Sequence, residues 1–182
     1  YLLLFPISTL PGASTTLPFF KYVLLVPVTA SLAWLYIPWV TFILTGVSNA
    51  VNLTDGLDGL SSGLVAIAVT TLGLFAYVLG RKDTSAYLQV FYLLGSGELT
   101  VFCAAVVGAC IGFLWWNAAP ARIFMGDTGS LALGRLIAGL SMVTRTELLL
   151  VVIGGVFVVE ALSVALQIVI FRTTRRRLFR MA

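Results

Sequence analysis

Two polar strings interrupt an otherwise apolar chain, and between them they hold most of the side chains that could do chemistry. The first is Asn49-Ala-Val-Asn52-Leu-Thr-Asp55-Gly56-Leu57-Asp58-Gly59, and the second runs Asn117-Ala-Ala-Pro-Ala-Arg122-Ile-Phe124-Met125-Gly126-Asp127-Thr128-Gly129-Ser130. If the first string is helical to about Asp55, then Asn49, Asn52 and Asp55 recur every third residue and share roughly one face, so two amides and a carboxylate point the same way. Gly56 and Gly59 bracket Asp58 and permit a tight turn with close backbone approach by a ligand. The plainer alternative is that the Asx residues cap a helix and the glycines turn a loop. A cap needs one Asx residue, and this string has four.

The second string leads directly into an apolar run, so Asp127 or Thr128 is expected to cap a helix whose free amides attract phosphate. A carboxylate beside a phosphate needs a counter-charge, and Mg²⁺ suits that place because it takes one or two carboxylates plus phosphate oxygens and waters. Asp127 is the first choice of metal ligand, with simple capping as the alternative. Phe124 could stack on a nucleobase or dip into a bilayer interface. The chain has no histidine, so catalysis in this stretch falls to carboxylates, amides or groups elsewhere. Cys103 and Cys110, seven residues apart on one expected helix, are about 10 Å apart and too distant for a disulfide.

The elements that must position these strings are membrane helices. Of 182 residues, 60% are hydrophobic and 10% charged, and the mean hydropathy is +1.07, unlike a soluble domain. Crossing the hydrocarbon takes about 20 helical residues. Five runs of that order are expected at 28–50, 60–80, 98–118, 128–146 and 148–171, giving an all-α polytopic bundle with no second domain. Residues 1–27, with Pro6, Pro11, Gly12 and Pro18, read as an outer hairpin or loop. Residues 86–94 read as a surface helix, Arg145 to Glu147 as a tight solvent-exposed turn, and 172–182 as a basic tail. Tyr1 is not a start, so the chain is expected to open partway through a larger protein.

Threading five spans puts loops 51–59 and 117–127 and the tail on one side. That side carries Arg122, Arg172, Arg175, Arg176, Arg177 and Arg180 against Lys21, Arg81, Lys82 and Arg145 opposite, which makes it cytoplasmic by the positive-inside rule. Both strings then face the cytoplasm. Glu160, Ser163 and Gln167 form a polar face on the last span, open to a functional or a structural reading.

The segments 49–59 and 124–134 resemble two signature regions of the polyprenyl-phosphate N-acetylhexosamine-1-phosphate transferase superfamily, and the run from Gly154 to Gln167 together with the ending Leu178 to Ala182 resembles its peptidoglycan branch. The resemblance covers nearly the whole chain and is weakest before Tyr36. It implies a ten-helix enzyme of the bacterial inner membrane, with its site facing the cytoplasm. That enzyme would use Mg²⁺ to transfer phospho-MurNAc-pentapeptide from UDP-MurNAc-pentapeptide to undecaprenyl phosphate, forming lipid I and UMP. Carried over by position, Asp127 binds Mg²⁺, Asp55 and Asn52 lie in the catalytic cleft near ribose and phosphates, and Phe124 stacks on uracil. Gly56, Leu57 and Asp58 border the uracil pocket, Gly126 belongs to the substrate site, and Asn117 and Gln167 line the cleft. The partners implied are those two substrates and the lipid bilayer, with a homodimer allowed and no nucleic acid.

The departures are definite. The family's Asp-Asp pair with a downstream Lys would precede these residues and its His-rich motif would follow Ala182, so this polypeptide alone is not expected to turn over substrate. Arg135 stands where the family usually has a second glycine. The competing readings are a sister transferase using UDP-GlcNAc, a transporter marked by Glu160, and an inactive membrane scaffold.

Overall fold

The computed structural model describes residues 15–16, 24–25 and 34–174, with side chains from 34 to 173. Most of the expected outer hairpin, the start of the first span and the tail beyond Thr174 lie outside the described residues. Two short strands, β1 (Thr15–Thr16) and β2 (Leu24–Leu25), pair antiparallel with Thr15 opposite Leu25. All other regular structure described is helical: α1 (Tyr36–Thr54), α2 (Leu60–Leu79), α3 (Lys82–Leu88), α4 (Glu98–Asn117), α5 (Gly126–Val143), α6 (Leu150–Ile153) and α7 (Gly155–Thr174).

The protein is a multi-pass, all-α membrane protein. Three described helices, α2, α4 and α7, are long and apolar enough to cross a membrane. Their outward faces are undisguised hydrocarbon-facing surface, with Val101, Ile111 and Trp115 on α4 and Val159, Leu162 and Val169 on α7 all exposed. Inward, the core is built where α1, α2 and α5 meet, around Val51, Val65, Val69, Leu72, Ile137 and Ala138.

Two antiparallel helix pairs organise the bundle, and glycine sets their spacing. Along α2 and α4, a Cβ on Gly73 would lie 2.8 Å from the Cys103 Cβ, while the Thr100 hydroxyl donates to the Gly73 carbonyl at 3.2 Å. Cys103 and Cys110 are buried free thiols. Along α1 and α5, a Cβ on Gly134 would come within 2.6 Å of the Ser48 Cα, and the Ser48 hydroxyl donates to the Leu131 carbonyl at 2.9 Å. Small residues let backbones touch where no water drives helices together. The last helix, α7, packs on α1.

Several boundaries differ from expectation. The first helix runs on to Thr54, so residues 51–54 are helix and the first polar loop shrinks to 55–59. The second loop is 118–125. The short surface helix is Lys82–Leu88 instead of 86–94, because Gln89 turns left-handed (φ 55°) and ends it. The fifth run is broken at Gly154 into α6 and α7.

The turn after α5 is the clearest correction. Arg145, Thr146 and Glu147 are not solvent-exposed; all three are buried. Arg145 takes a left-handed backbone (φ 59°) that turns the segment inward. There the Tyr36 hydroxyl donates to Glu147 Oε1 at 2.7 Å, Arg145 lies against Tyr36, and the Thr144 and Thr146 hydroxyls meet at 2.7 Å. A buried charge costs least beside polar partners, and here Arg145 and Glu147 both act on the Tyr36 hydroxyl. Arg145 therefore marks a packed polar cluster instead of an outer surface.

The Gly134 contact is testable by pairing it with Gly139, whose Cβ would meet nothing within 4 Å. Gly134→Ala should destabilise the detergent-solubilised protein by about 1–3 kcal/mol through overpacking against backbone. Gly139→Ala should be neutral or stabilising, as Ala is the better helix former. Thermal unfolding of the two variants side by side is the check; equal midpoints would contradict the packing.

Candidate active site

The site sits at the end of the bundle where α1 and α4 finish and α2 and α5 begin. One side chain joins the two polar strings there. Asn117, the last residue of α4, is buried, and its Oδ1 accepts the Gly59 N–H at 3.1 Å and the Ser62 hydroxyl at 3.2 Å. Its Nδ2 donates to the Ile123 carbonyl at 2.9 Å. Gly59 is left-handed (φ 74°), and a Cβ there would press on Leu114 at 3.2 Å and Ala118 at 3.5 Å. Its close approach is thus to the end of α4. Beside this clamp the Ala121 N–H donates to Asp58 Oδ2 at 3.0 Å, tying the loops a second time.

The catalytic candidates lie on the α1 and α5 side of this junction. Asp55 directly follows α1, half-buried, and Asp127 occupies the first turn of α5, exposed. Burial first, and the nearby Asp127 charge second, hold the Asp55 carboxyl above its ordinary range. The two carboxylates, 72 positions apart in sequence, therefore share one electrostatic environment. Neither Asp127 nor Thr128 caps α5: the helix starts at Gly126 (φ 71°) with Met125 at the cap position and no side-chain cap bond. The Asp127 carboxylate is not spent on capping. Asn52 accepts a hydrogen bond from the buried Ser130 hydroxyl across the α1–α5 pair. Asn49 is exposed and folds its amide back onto the Thr45 carbonyl at 2.8 Å.

Around this centre, Gly56, Leu57 and Asp58 are exposed at the rim, and Phe124 is 76% exposed with its ring presented outward. The Arg122 guanidinium stacks over Trp116 at 5.7 Å. Gln167 is buried on α7, about 18 Å along that helix from its start. Glu160 is half-buried, accepting from the Ser163 hydroxyl through its main-chain carbonyl at 2.8 Å. Arg135 is exposed on α5 and does not enter the packed interface. Residues that sequence reasoning passed over are Ser62 and Ser130, both fully buried at the joints of the site. Their signal was faint: hydroxyls at the first turns of otherwise apolar helices.

The donor set bears on metal binding. Among the described residues no group of three or more His, Cys, Asp or Glu side chains comes together. Two neighbouring hard-oxygen carboxylates, repelling each other and carrying no hydrogen bond among the described residues, fit Mg²⁺, which keeps waters and phosphate oxygens in its shell. Asp127 is the more open of the two.

Comparisons with known proteins identify the family of the chain. The model of a family described as glycosyl transferase family 4 matches residues 2–145. A phospho-N-acetylmuramoyl-pentapeptide-transferase from Gemmatimonas aurantiaca is 76% identical over 177 residues, 97% of this chain and 47% of that protein. Proteins of the same name from a Geobacter species and from Citrifermentans bemidjiense are 54% and 53% identical, each over 95% of this chain and 48% of its own length. The chain spans about half the length of the curated relatives it matches.

The clamp gives the test of the site's architecture. Asn117→Ala would leave the Gly59 N–H and the Ile123 carbonyl without their partner, a cost of about 1–3 kcal/mol for a buried group. The expected outcome is a lowered unfolding temperature together with faster proteolysis within 118–125 than in the unaltered protein. Unchanged proteolysis of that loop would contradict the clamp.

Proposed function

The chain belongs to glycosyl transferase family 4, and from that membership we propose that it forms the nucleotide and metal wall of an enzyme that transfers phospho-MurNAc-pentapeptide from UDP-MurNAc-pentapeptide to undecaprenyl phosphate, releasing UMP. The observation that carries the reading is the pairing of Asp55 and Asp127 at the clamped junction of the two polar loops. The names of the relatives support the peptidoglycan substrate over other sugar nucleotides.

Phosphoryl transfer asks little covalent chemistry of a protein; it asks for positioning and for neutralisation of charge on the phosphates. In this reading Asp127 holds Mg²⁺, with Asp55 beside it raising the negative potential that draws the ion in. A bound Mg²⁺ would supply the counter-charge for the diphosphate. The unsatisfied N–H groups in the first turn of α5, from Gly126 onward, attract the same phosphates. Phe124 offers a ring face to uracil, and Gly56, Leu57 and Asp58 form the adjoining rim. Asn117 serves that pocket by holding both loops, its oxygen accepting two bonds and its NH₂ donating one. Gln167, buried on α7, would line the same cleft. The site faces the cytoplasm of a bacterial inner membrane, supported by Arg122 at this end and Arg172 in the last turn of α7.

The test is transfer of radiolabelled sugar phosphate by the intact gene product in membranes. Asp127→Asn should abolish transfer while leaving the unfolding temperature within about 2 °C of the unaltered protein, as a surface substitution does; near-normal turnover would sink the metal-ligand assignment. Phe124→Ala should weaken the UDP-sugar by roughly 5- to 200-fold, the worth of one stacked base, and leave the lipid substrate's KM unchanged. An unchanged nucleotide affinity would count against stacking.

A further inference from the structure

Ser130 is absent from the roles above, yet it is completely buried and makes the one hydrogen bond between two side chains that the described residues show between α1 and α5. It lies three residues after Asp127, and its partner Asn52 lies three residues before Asp55. The bond therefore joins the two carboxylate-bearing helix ends directly behind the carboxylates.

We infer that Ser130 is a positioning residue that fixes the Asn52 amide in one orientation, with the carbonyl oxygen turned inward and the NH₂ group left as the donor for an oxygen of the nucleotide. The inference rests on the nucleotide-sugar reading for the identity of that oxygen, and on the geometry alone for the orientation.

The amide turns its oxygen toward the Ser130 hydroxyl. At 2.5 Å the contact lies within the range of O–H···O bonds and short of the range of N–H···O bonds. The hydroxyl has a single proton to give. Its other acceptors, the Gly126 and Asp127 carbonyls, are farther away at 3.2 and 3.3 Å. A helical serine ordinarily bonds back to the preceding turn, and here the bond across the helix pair takes precedence.

The consequence appears when the three asparagines of the strings are compared. Asn49 spends its NH₂ on the Thr45 carbonyl, and Asn117 spends both ends in the loop clamp. Asn52 has its oxygen held by Ser130, and its NH₂ donates to nothing among the described residues. It is half-buried, in the last turn of α1 just before Asp55. A neutral donor there complements two carboxylates: it can bind a phosphate or ribose oxygen that Asp55 and Asp127 repel. With the amide flipped, its carbonyl would add a third acceptor facing an electron-rich substrate.

Two measurements on the intact gene product test this. In protein labelled with ¹⁵N-asparagine, the side-chain NH₂ signal lost in Asn52→Asp identifies Asn52. Ser130→Ala should shift or broaden that signal with no nucleotide present, and an unmoved signal would overturn the inference whatever the enzyme does. The second measurement is a double-mutant cycle in kcat/KM for the UDP-sugar. Ser130→Ala alone should cost about 3- to 10-fold, the worth of one hydrogen bond, whereas adding it to Asn52→Ala should cost less than about twofold more. Ser130→Thr, which keeps the hydroxyl, should recover most of the loss. Losses that multiply independently, or a fall in unfolding temperature with kcat/KM unchanged, would make Ser130 merely structural and overturn the proposal. Comparing UMP with uridine as competitors separates a phosphate oxygen from a ribose oxygen as the atom served. If the unaltered protein binds neither, the nucleotide reading fails, and the NMR signal still decides the orientation.

Discussion

A single amide holds the working end of the molecule together. Asn117 accepts from the loop that follows α1 and donates to the loop that precedes α5, so two segments distant in sequence become one surface. The arrangement depends on α4 ending exactly at this residue and on Gly59 having no side chain. Asp58 reinforces the bridge through the Ala121 amide. Loop backbones at a membrane surface are the parts of a bundle with the fewest packing partners, and a pair of loops bound to each other gains rigidity that neither has alone. Without the bridge, the first turn of α5 and the end of α1 would be placed only by the helices behind them.

Those helices are themselves placed from both ends. At the site end, Ser130 bonds Asn52 and Gly134 lets α5 lie against the backbone of α1. At the far end, Tyr36 bonds Glu147 in a buried polar cluster that includes Arg145. A pair of helices fixed at two levels about 24 Å apart, the rise from Tyr36 to Asn52, has little freedom to slide. The charged cluster looks costly for stability, but it defines register in a way that interchangeable apolar contacts do not. The outward surfaces of α4 and α7 carry no such constraints and are simply apolar.

Much of this could be read in the residues. The apolar runs gave the helices, and the polar strings stood out because four Asx residues and two glycines in eleven positions have no use in a membrane span. What local pattern could not supply was pairing at a distance. Arg145 to Glu147 looked like a solvated turn because Tyr36, its partner, lies more than a hundred positions earlier. The family resemblance put Asn117 on the lining of the cleft, and the fold adds that its amide bridges the two loops. Ser130 was hidden as an ordinary residue made consequential by what crosses it. The helix ends moved by a few residues where Gln89, Arg145 and Gly154 reversed or broke the chain, and backbone conformation of that kind is weakly encoded in residue type.

The central claim is that Asp127 and Asp55 form one cation site at the clamped junction of the two loops. It is tested most directly by titrating the intact protein with Mn²⁺ as a spectroscopic substitute for Mg²⁺, using electron paramagnetic resonance. The expected result is one Mn²⁺ per chain displaced by Mg²⁺, lost in Asp127→Asn, weakened in Asp55→Asn, and indifferent to Asp83→Asn on the short surface helix. Mn²⁺ binding that is as tight in Asp127→Asn as in the unaltered protein would contradict the claim.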